Sequence, residues 1–308
     1  MKILFCAYMG QIMEEDAGLL RRLYPVEIID FLQFASSFTQ ILKYLFNIFN
    51  TIIPGVLRND LVYIWTVDYP AFPIIVLAKL FRKKVVLHIS GYEVCGDKNQ
   101  RYGSQLGKVH GAAVRWCLRN TDCAIVMSEA YAKITMIVEP KTKLAVIPGG
   151  ISPDLYAVPL PEKKEQAVLA YHEYTGVENI KGISIYKEAA KHIPYECKVI
   201  KDMDHNQLMK VLLETKVYCQ ISYTECFGMT VLEAMACGCV PVVTNRGALP
   251  ELVGDTGVVI HYGGIMEAAY GIQKAMKLSG ESARERAKLF SNELRSTRLK
   301  TVLEEVMD

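Results

Sequence analysis

The 308-residue sequence lacks an excess of charge of either sign. Lys and Arg together number 35 and Asp and Glu number 33, so the formal net charge at pH 7 is +2. A nucleic acid is therefore not indicated as a partner, because binding of a polyanion depends on a strongly basic surface. The sequence also has no Gly-x-Gly-x-x-Gly after a predicted first strand, which argues against a nicotinamide-dependent dehydrogenase.

Metal-binding patterns are missing as well. The nine cysteines are scattered, and Cys237 and Cys239 form the one close pair, with no second pair or histidine set beside them. We therefore predict no metal site and no cofactor other than the substrates themselves. Cys6, Cys123 and Cys219 lie inside apolar runs, which is typical of reduced core cysteines. With no signal peptide at the start of the sequence, a cytoplasmic location is predicted.

No apolar run reaches the roughly 20 residues that are needed to span a bilayer. Residues 38–57 come close, but Lys43 and two asparagines interrupt them. Residues 71–81 are apolar and are followed by Arg82, Lys83 and Lys84. Each run is interpreted either as a helix that covers a buried sheet or as a helix that rests on the inner face of an anionic membrane.

Short apolar runs, bounded by Gly, Pro or polar turns, alternate with segments of helical length along the whole chain. Such runs are typical of strands that are buried on both faces, and their alternation with helices predicts parallel sheets. The predicted strands are residues 2–7, 26–30, 61–66, 84–90, 123–127 and 143–149, then 167–171, 195–200, 216–222, 239–244 and 256–260. The predicted helices include residues 107–119, 182–192, 205–214, 229–237, 264–278 and 281–307.

The composition of the sequence changes after Ile151. Pro159, Leu160, Pro161 and the charged residues 162–165 are typical of a linker. We therefore predict two doubly wound α/β domains, residues 1–155 and residues 156–290. A cleft at the carboxyl ends of their strands is the expected binding place.

Residues 221–252 contain the clearest chemical pattern. A predicted strand ends near Ser222, a loop carries Glu225, and Gly228 opens a helix that Gly238 ends. The first amides of such a helix have no partners within the helix and bind phosphate or diphosphate well. These amides belong to Phe227, Gly228, Met229 and Thr230.

Two carboxylates flank that predicted phosphate site. Glu225 precedes the helix and Glu233 lies in its second turn. A carboxylate accepts two hydroxyl protons side by side, so this pair suits the vicinal diols of a ribose and a hexose. The alternative is that Glu225 favours the helix dipole and Glu233 is a solvated surface residue.

The whole segment resembles the signature of the retaining glycosyltransferases of family four, which have the GT-B fold. The similarity covers Ser222, Glu225, Phe227–Gly228, Leu-Glu-Ala-Met-Ala at 232–236, Gly238, Pro-Val-Val at 241–243, and the Gly247 and Glu251 that follow. More weakly, residues 147–151 look like the family's domain junction, with Gly149 in place of Asn. Residues 290–306 are similar to its closing helix, so residues 291–308 are expected to return to the N-terminal domain, across the cleft.

The resemblance implies a role for each site residue. Glu225 would contact the transferred sugar as a catalytic residue, Glu233 would bind the ribose, and the amides at 227–230 would meet the diphosphate of a nucleotide-sugar donor. Lys181, which matches the family's Lys-Gly, would reach the phosphates as a point charge. In the first domain, Gly10 follows the first strand and is a donor-binding candidate, with an ordinary turn glycine as the alternative.

The sequence departs from the family pattern at two places. The family's Arg, five to eight residues before the Lys-Gly, is missing, and His172 is the nearest replacement. Ser90 occupies the position of a histidine that faces the donor sugar. His88 lies two residues earlier and shares its strand face, so it is either catalytic or a hydrogen-bonded core histidine.

These departures keep two functions open. The first is transfer of a hexose to an acceptor hydroxyl with retention of anomeric configuration and without metal. The second is a nucleotide-sugar-binding protein of the same fold with little or no turnover. A nucleotide-sugar epimerase would not need the two carboxylates, and the phosphorylases of this architecture are much longer. The motifs do not distinguish a glycan, a lipid-linked or a small-molecule acceptor.

Overall fold

The computed structural model describes residues 1–31, 48–67, 70–173 and 176–308. Residues 38–47 of the predicted apolar run at 38–57 lie outside the described residues. The described chain folds into two compact units. The first comprises residues 1–127, 131–147 and 296–308, and the second comprises residues 128–130 and 148–295.

The first unit is built on a six-stranded parallel sheet with the strand order β2-β1-β3-β4-β5-β6. Its central strands are buried along their whole length, so they are made of continuous apolar residues rather than alternating ones. Phe5 of the first strand stacks on Tyr63 of the third, with ring centroids 5.4 Å apart. The strands are β1 Ile3–Ala7, β2 Val26–Asp30, β3 Leu61–Trp65, β4 Lys84–His88, β5 Cys123–Val126 and β6 Leu144–Val146.

The second unit has a five-stranded parallel sheet with the strand order β11-β10-β9-β7-β8. Its core is formed by side chains of the strands and of the helices that join them. The strands are β7 Lys164–Tyr171, β8 Glu196–Lys201, β9 Thr215–Gln220, β10 Val240–Thr244 and β11 Val258–Ile260. The prediction of two Rossmann-like halves with parallel sheets is confirmed. Strand β9 pairs with β7 rather than with β8, so the carboxyl ends of β7 and β9 lie side by side.

The helices connect successive parallel strands, as parallel pairing requires. In the first unit they are α1 Gln11–Arg21, α2 Ile53–Arg58, α3 Ala71–Leu80, α4 Lys108–Arg119 and, from Tyr131 onwards, α5 Glu129–Val138. In the second unit they are α6 Asp154–Ala157, α7 Val177–Lys181, α8 Ile183–Ala190, α9 His205–Glu214, α10 Met229–Ala236, α11 Leu249–Val253, α12 Ile265–Met276 and α13 Glu281–Ala287. The last helix, α14 Asn292–Met307, joins the first unit from Ser296 onwards.

The prediction of a single helix at 281–307 is wrong, because the helix is interrupted between α13 and α14. Ser291 is extended, with φ −84° and ψ 156°, and pairs with Ile151 in an isolated parallel bridge. The amide of Ile151 donates to Phe290 O at 3.0 Å, and Asn292 N donates to Ile151 O at 3.0 Å. The helical hydrogen bonds at this point are therefore exchanged for bonds to the segment that opens the second unit.

The predicted linker at 162–165 is partly strand, because β7 already begins at Lys164. Lys163 is held in place rather than solvated. Its Nζ donates to the carbonyl oxygens of Leu213 at 2.6 Å and Cys237 at 2.5 Å, near the carboxyl ends of α9 and α10. A cation at helix carboxyl ends compensates their unpaired carbonyl groups, so this part of the charged run stabilises the fold.

Candidate functional site

The carboxyl edge of the second unit's sheet brings together most of the residues that the sequence singled out. Because all five strands are parallel, the segments that follow them emerge at one edge. His205 follows β8, Lys181 follows β7, and Glu225 follows β9. Arg246 follows β10, beside this last loop. The candidate site is therefore built from loops whose order along the edge is set by the strand order.

The loop at 221–228 is held between two glycines of the family motifs. Gly182 has φ +62°, and a Cβ there would stand 2.1 Å from Ile221 O. Gly247 has φ +56°, and a Cβ there would stand 2.2 Å from Glu225 O. Both positions combine a left-handed backbone with a backbone neighbour, so only glycine fits. The glycines of Lys-Gly and Gly-x-x-x-Glu thus let two other segments approach this loop.

Glu225 lies at the centre of a polar network on that loop. Lys181 Nζ donates to its Oε2 at 2.7 Å, and the two side chains are 22% and 19% exposed. Gln220 Nε2 donates to the same oxygen at 3.2 Å, and Tyr218 Oη donates to Gln220 Oε1 at 3.0 Å. The structure thereby brings Lys181 and Glu225 together, and Gln220 of β9 holds the Glu225 carboxylate in place. Tyr218 and Gln220 were not singled out from the sequence, since they lie within an apolar strand.

Helix α10 presents an uncapped amino terminus next to Glu225. Gly228 precedes it with φ +99°, and no side chain in the described part of the protein caps its amides. The first intrahelical bond is donated by Leu232 N to Gly228 O at 3.0 Å, so the preceding amides have no carbonyl within the helix. These amides, at the positions predicted from the sequence, form a site of positive partial charge that favours a phosphate.

Glu233 points back toward the same edge from the second turn of α10. It is 9% exposed as a residue, and its Oε1 lies 2.9 Å from His205 Nε2. Glu233 is therefore not the solvated surface residue of the alternative interpretation. His205 was not predicted as a site residue, although the predicted helix at 205–214 begins with it, just after a predicted strand.

Gly149, which replaces the family's Asn, lies against the start of α10. A Cβ at this position would come within 2.6 Å of Met229 Sδ and 2.8 Å of the Phe227 ring. Phe227 is buried and its ring also contacts Phe290 edge-on, with centroids 5.7 Å apart. The glycine therefore accommodates the large side chains that surround the amide site.

Asp202 and Asp204 follow β8, so the prediction that metal-binding patterns are missing is wrong for the Asp-x-Asp pattern. Asp204 caps α9 by accepting from Asn206 N at 2.9 Å and from Gln207 N at 3.3 Å. Asp202 lies 3.5 Å from His172 Nδ1, and the His172 side chain is 78% exposed. Within the described part of the chain, no three metal-binding side chains come together.

Glu251 of the Gly-x-x-x-Glu motif binds backbone rather than lining the edge. Its carboxylate accepts from the amide of Glu129 at 3.0 Å and from the amide of Ala130 at 3.4 Å. Ser128 Oγ donates to Cys226 O at 3.1 Å in the same unit. These contacts tie the 128–130 segment to the 221–252 region.

The remaining predicted site residues belong to the first unit. Gly10 precedes α1 with an extended backbone, and a Cβ there would meet only Met13 Sδ, at 3.9 Å. His88 is fully buried and stacks on Trp65 with centroids 3.6 Å apart. Trp65 in turn donates to the buried Asp16 at 2.9 Å. This environment favours the second interpretation of His88, a core histidine.

Ser90 and the following turn are organised by a buried carboxylate. Glu93 accepts from Ser90 N at 3.1 Å, Ser90 Oγ at 2.9 Å, Gly91 N at 2.7 Å and Val67 N at 3.1 Å. All four donors converge on one side chain that is 1% exposed. Ser90, at the family's histidine position, is therefore part of a structural turn after β4.

Comparisons with known proteins agree with this geometry. The family model described as "Glycosyl transferases group 1" matches residues 184–292, which include the 221–228 loop and α10. N-acetyl-alpha-D-glucosaminyl L-malate synthase of Bacillus anthracis is 31% identical over 106 residues, 32% of this chain and 28% of that protein. A phosphatidylinositol N-acetylglucosaminyltransferase subunit from Homo sapiens is 25% identical over 79 residues, 26% of this chain and 16% of that protein.

Solved structures match the chain over its full length. Sucrose-phosphate synthase of Thermosynechococcus elongatus superposes with a TM-score of 0.76 at 15% identity, covering 99% of this chain and 98% of that one. Anabaena HepE in complex with UDP superposes with a TM-score of 0.73 at 16% identity, covering 99% and 100%. These likenesses show the fold, whereas the matched segments span less than a third of the length of the two curated relatives. Residues 184–292 therefore match the family model of the group 1 glycosyltransferases, and the chain has the GT-B fold of these solved structures.

Proposed function

We propose that the chain transfers a hexose from a nucleotide-diphosphate sugar to an acceptor hydroxyl, with retention of anomeric configuration. The observation that carries the proposal is the uncapped amino terminus of α10 between two carboxylates, each paired with a basic side chain. The structural neighbour HepE is described in complexes with UDP, with UDP and glucose, and with UDP-glucose. These complexes support a nucleotide-sugar as the donor.

Each part of the donor has a matching group at this edge. The ribose diol binds Glu233, in exchange for His205, and the transferred sugar binds Glu225. The diphosphate lies on the amides at 227–230, and Lys181 turns from Glu225 toward it as charge develops on the leaving group. The acceptor hydroxyl attacks the anomeric carbon from the face that the diphosphate leaves and passes its proton to the departing phosphate oxygen, so configuration is retained without a protein nucleophile. The positive end of α10 and Lys181 stabilise the negative charge on the departing diphosphate.

The first test is a thermal-shift screen against UDP, GDP, ADP and their sugar conjugates. A ligand that binds only the folded protein raises the melting temperature by mass action. We expect one nucleotide to do so, and Glu233→Ala to abolish the shift. Glu267→Ala is the matched control, because Glu267 pairs with His261 at 3.0 Å on an exposed helix of the same unit. Loss of the shift in both variants, or no shift with any nucleotide, would contradict the proposed donor site.

The alternative is a binding protein of the same fold with little turnover. The observation in its favour is that His172, the candidate replacement for the missing Arg, is exposed and beside Asp202 rather than Lys181. Release of nucleoside diphosphate from the donor, with water as acceptor, separates the two. We expect turnover that Lys181→Ala lowers about 100-fold, the order lost when one transition-state donor is removed. Tight donor binding without any release would favour the binding protein.

Metal independence is part of the proposed mechanism. The positive charge near the diphosphate comes from backbone amides and Lys181, so no divalent ion is assigned a role. We expect release of nucleoside diphosphate to continue unchanged in excess EDTA. A loss that Mg²⁺ or Mn²⁺ restores would contradict this assignment. The anomeric configuration of the product, followed by proton NMR at early times, tests retention.

We further propose that the first unit rests on an anionic membrane surface through α3 and the basic residues after it. Phe72, Val76 and Leu80 are exposed at a spacing of four, so they form one apolar stripe, and Leu80 is 70% exposed. Arg82 and Lys83 follow directly, which adds positive charge at the end of the stripe. Among the described residues, no helix is both long and apolar enough to pass through a bilayer.

Co-sedimentation with vesicles tests this surface. We expect the protein to sediment at low salt with phosphatidylglycerol-containing vesicles and far less with phosphatidylcholine alone. Leu80→Asp should abolish sedimentation, whereas Met266→Asp, an equally exposed apolar position in the second unit, should leave it unchanged. Absence of sedimentation of the unmodified protein would remove the membrane proposal and leave the donor proposal intact.

A further inference from the structure

The carboxyl edge of the second unit's sheet continues past Glu225 into a second cluster of side chains. Arg246 follows β10 and Tyr262 follows β11, while Tyr223 precedes Glu225 on the loop after β9. The guanidinium carbon of Arg246 lies 5.2 Å from the centroid of the Tyr223 ring. Tyr262 meets the same ring edge-on, with centroids 5.1 Å apart. None of these three side chains belongs to the family motif or to the proposed donor contacts.

This cluster is held in place by the backbone of the candidate site. Tyr223 N donates to Ile180 O at 2.7 Å, beside Lys181, and Tyr262 Oη donates to Asn179 O at 2.7 Å. Gly247, next to Arg246, touches the backbone of Glu225. The rings are thus anchored to α7 and the guanidinium to the Glu225 loop.

The positive charge of Arg246 is not balanced by a carboxylate among the described residues. Arg246 is exposed, and within the part of the chain that the structure describes no carboxylate pairs with it. An arginine on an aromatic ring loses less freedom when it binds, because the planar fork is already oriented. A guanidinium in this state is suited to a carboxylate or a phosphate, which it binds with two parallel hydrogen bonds.

The strand order tells where a ligand of this cluster must lie. Along this edge of the sheet, the side chains lie in the spatial order His205 with Glu233, Lys181, Glu225, and Arg246 with Tyr262. A donor with its ribose at Glu233 and its sugar at Glu225 points its sugar end toward the cluster. The cluster therefore meets what lies beyond the nucleotide: a substituent of the transferred sugar, or the acceptor.

We propose that Tyr223, Arg246 and Tyr262 form a subsite for an anionic group, a carboxylate or a phosphate, at the sugar end of the bound substrates. The direction of the ligand rests on the proposed function, whereas the subsite itself rests on the cluster's own contacts. The rings offer apolar faces to a sugar, and Arg246 offers the charge. The anion belongs either to the transferred sugar, as in a uronate, or to a phosphorylated acceptor.

Calorimetry on the full chain with two matched ligand pairs tests the subsite and separates the two sources. The first pair is UDP-glucuronate against UDP-glucose, and the second is glucose 6-phosphate against glucose, the second pair being measured with and without saturating UDP. In at least one pair we expect the anionic member to bind about tenfold more tightly, as one charge-assisted contact provides. A preference in the first pair places the anion on the donor sugar, and a preference in the second places it on the acceptor.

Three variants connect that preference to the cluster. Arg246→Ala should remove it, and Arg246→Lys should retain only part of it, because a point charge replaces the fork. The charge-matched control is Lys277→Ala, an exposed lysine just after α12, which should leave the preference unchanged. UDP itself should bind all forms equally.

The outcomes separate this inference from the proposed function. No preference in either pair, a preference that survives Arg246→Ala, or an equal loss in Lys277→Ala would overturn the subsite. If UDP binds normally and any of these results is obtained, the proposed donor site is retained and only the subsite is rejected. If UDP does not bind at all, a uridine donor is rejected. The comparison of glucose 6-phosphate with glucose, made without UDP, then still tests the subsite.

Discussion

Single residues control this site mainly through the absence of a side chain. Gly182 and Gly247 lie on either side of the loop that carries Glu225, and each has a carbonyl oxygen where a Cβ would stand. The distances of 2.1 and 2.2 Å leave no room for even a methyl group. The position of the Glu225 carboxylate is therefore determined by backbone contacts that larger residues would prevent.

We expect Gly182→Ala to destabilise the protein by about 3 kcal/mol, since the left-handed backbone and the contact with Ile221 O both act against it. The nucleotide-induced thermal shift should disappear as well, because the Glu225 loop must move. Urea denaturation with and without nucleotide measures both effects. Gly176→Ala, at the other end of α7, also has a positive φ but nothing within 4 Å, and should cost only about 1 kcal/mol. Equal effects of the two substitutions would contradict the packing argument.

Gly149→Asn would restore the residue that the family usually has at this position, yet we expect it to weaken nucleotide binding. The new Cβ would displace Met229 and Phe227, which surround the amide site at the start of α10. Overpacking of this kind costs roughly 1–3 kcal/mol of stability. Titration of the nucleotide by calorimetry measures the affinity, and Gly18→Ala, with open space around it, serves as the neutral control. Tighter binding by the Asn variant would refute this account.

At the level of whole elements, the ends of helices carry the chemistry. The amino terminus of α10 is left without a side-chain cap, whereas α9 has one in Asp204. The uncapped end provides donors for a ligand, and the capped end holds His205 next to Glu233. Two neighbouring helices therefore begin differently: the proposed function needs free amides at the start of α10, whereas the capped start of α9 holds a side chain in place.

Asp204→Ala should lower the stability by about 1 kcal/mol, the usual effect of losing an N-cap. It should also weaken nucleotide binding, because the first turn of α9 loosens and His205 no longer orients Glu233. Asp204→Asn keeps a capping oxygen, so it should change neither property. Thermal unfolding and calorimetry on the two variants test this element. A binding defect of the same size in the Asn variant would show that charge rather than capping is responsible.

Across the whole molecule, thiols and phenols are buried in both units, on strands, helices and turns, and all nine cysteines are free thiols. Burial raises the pKa of Cys117 and Cys239 to about 12 and that of Cys123 to about 11. The pKa of Tyr218 is raised well above its usual value of 10.0 for the same reason. These groups keep their protons in the folded state at a pH where the unfolded chain loses them.

Stability should therefore fall as the pH rises above about 9, where unfolded thiols ionise and folded ones do not. Each such group contributes a slope of up to about 1.4 kcal/mol per pH unit. Urea denaturation at pH 7, 8, 9 and 10 measures this dependence. A free energy of unfolding that stays constant from pH 8 to pH 10 would disprove it. As an independent check, iodoacetamide at pH 8 should label Cys95 and Cys197, the half-buried thiols, long before the others.

Much of this architecture could be predicted before the structure. The apolar runs predicted all eleven strands of the described residues, since most of these strands are buried on both faces and are therefore short, continuous and easy to recognise. The segment around Glu225 and Gly228 was equally readable, because a loop followed by a helix start is a local pattern along the chain. The break at Ser291 was not, because it depends on a partner, Ile151, that is 140 positions away in sequence.

The linear sequence was sufficient for the fold class and for the contiguous motif around Glu225 and Glu233, because both depend on neighbouring residues and their periodicity. Only the tertiary structure decided which distant side chains meet: His205 with Glu233, Lys181 with Glu225, and Arg246 with Tyr223. The physical reason is the strand order. A parallel sheet gathers the ends of its strands at one edge, in an order that no stretch of sequence records.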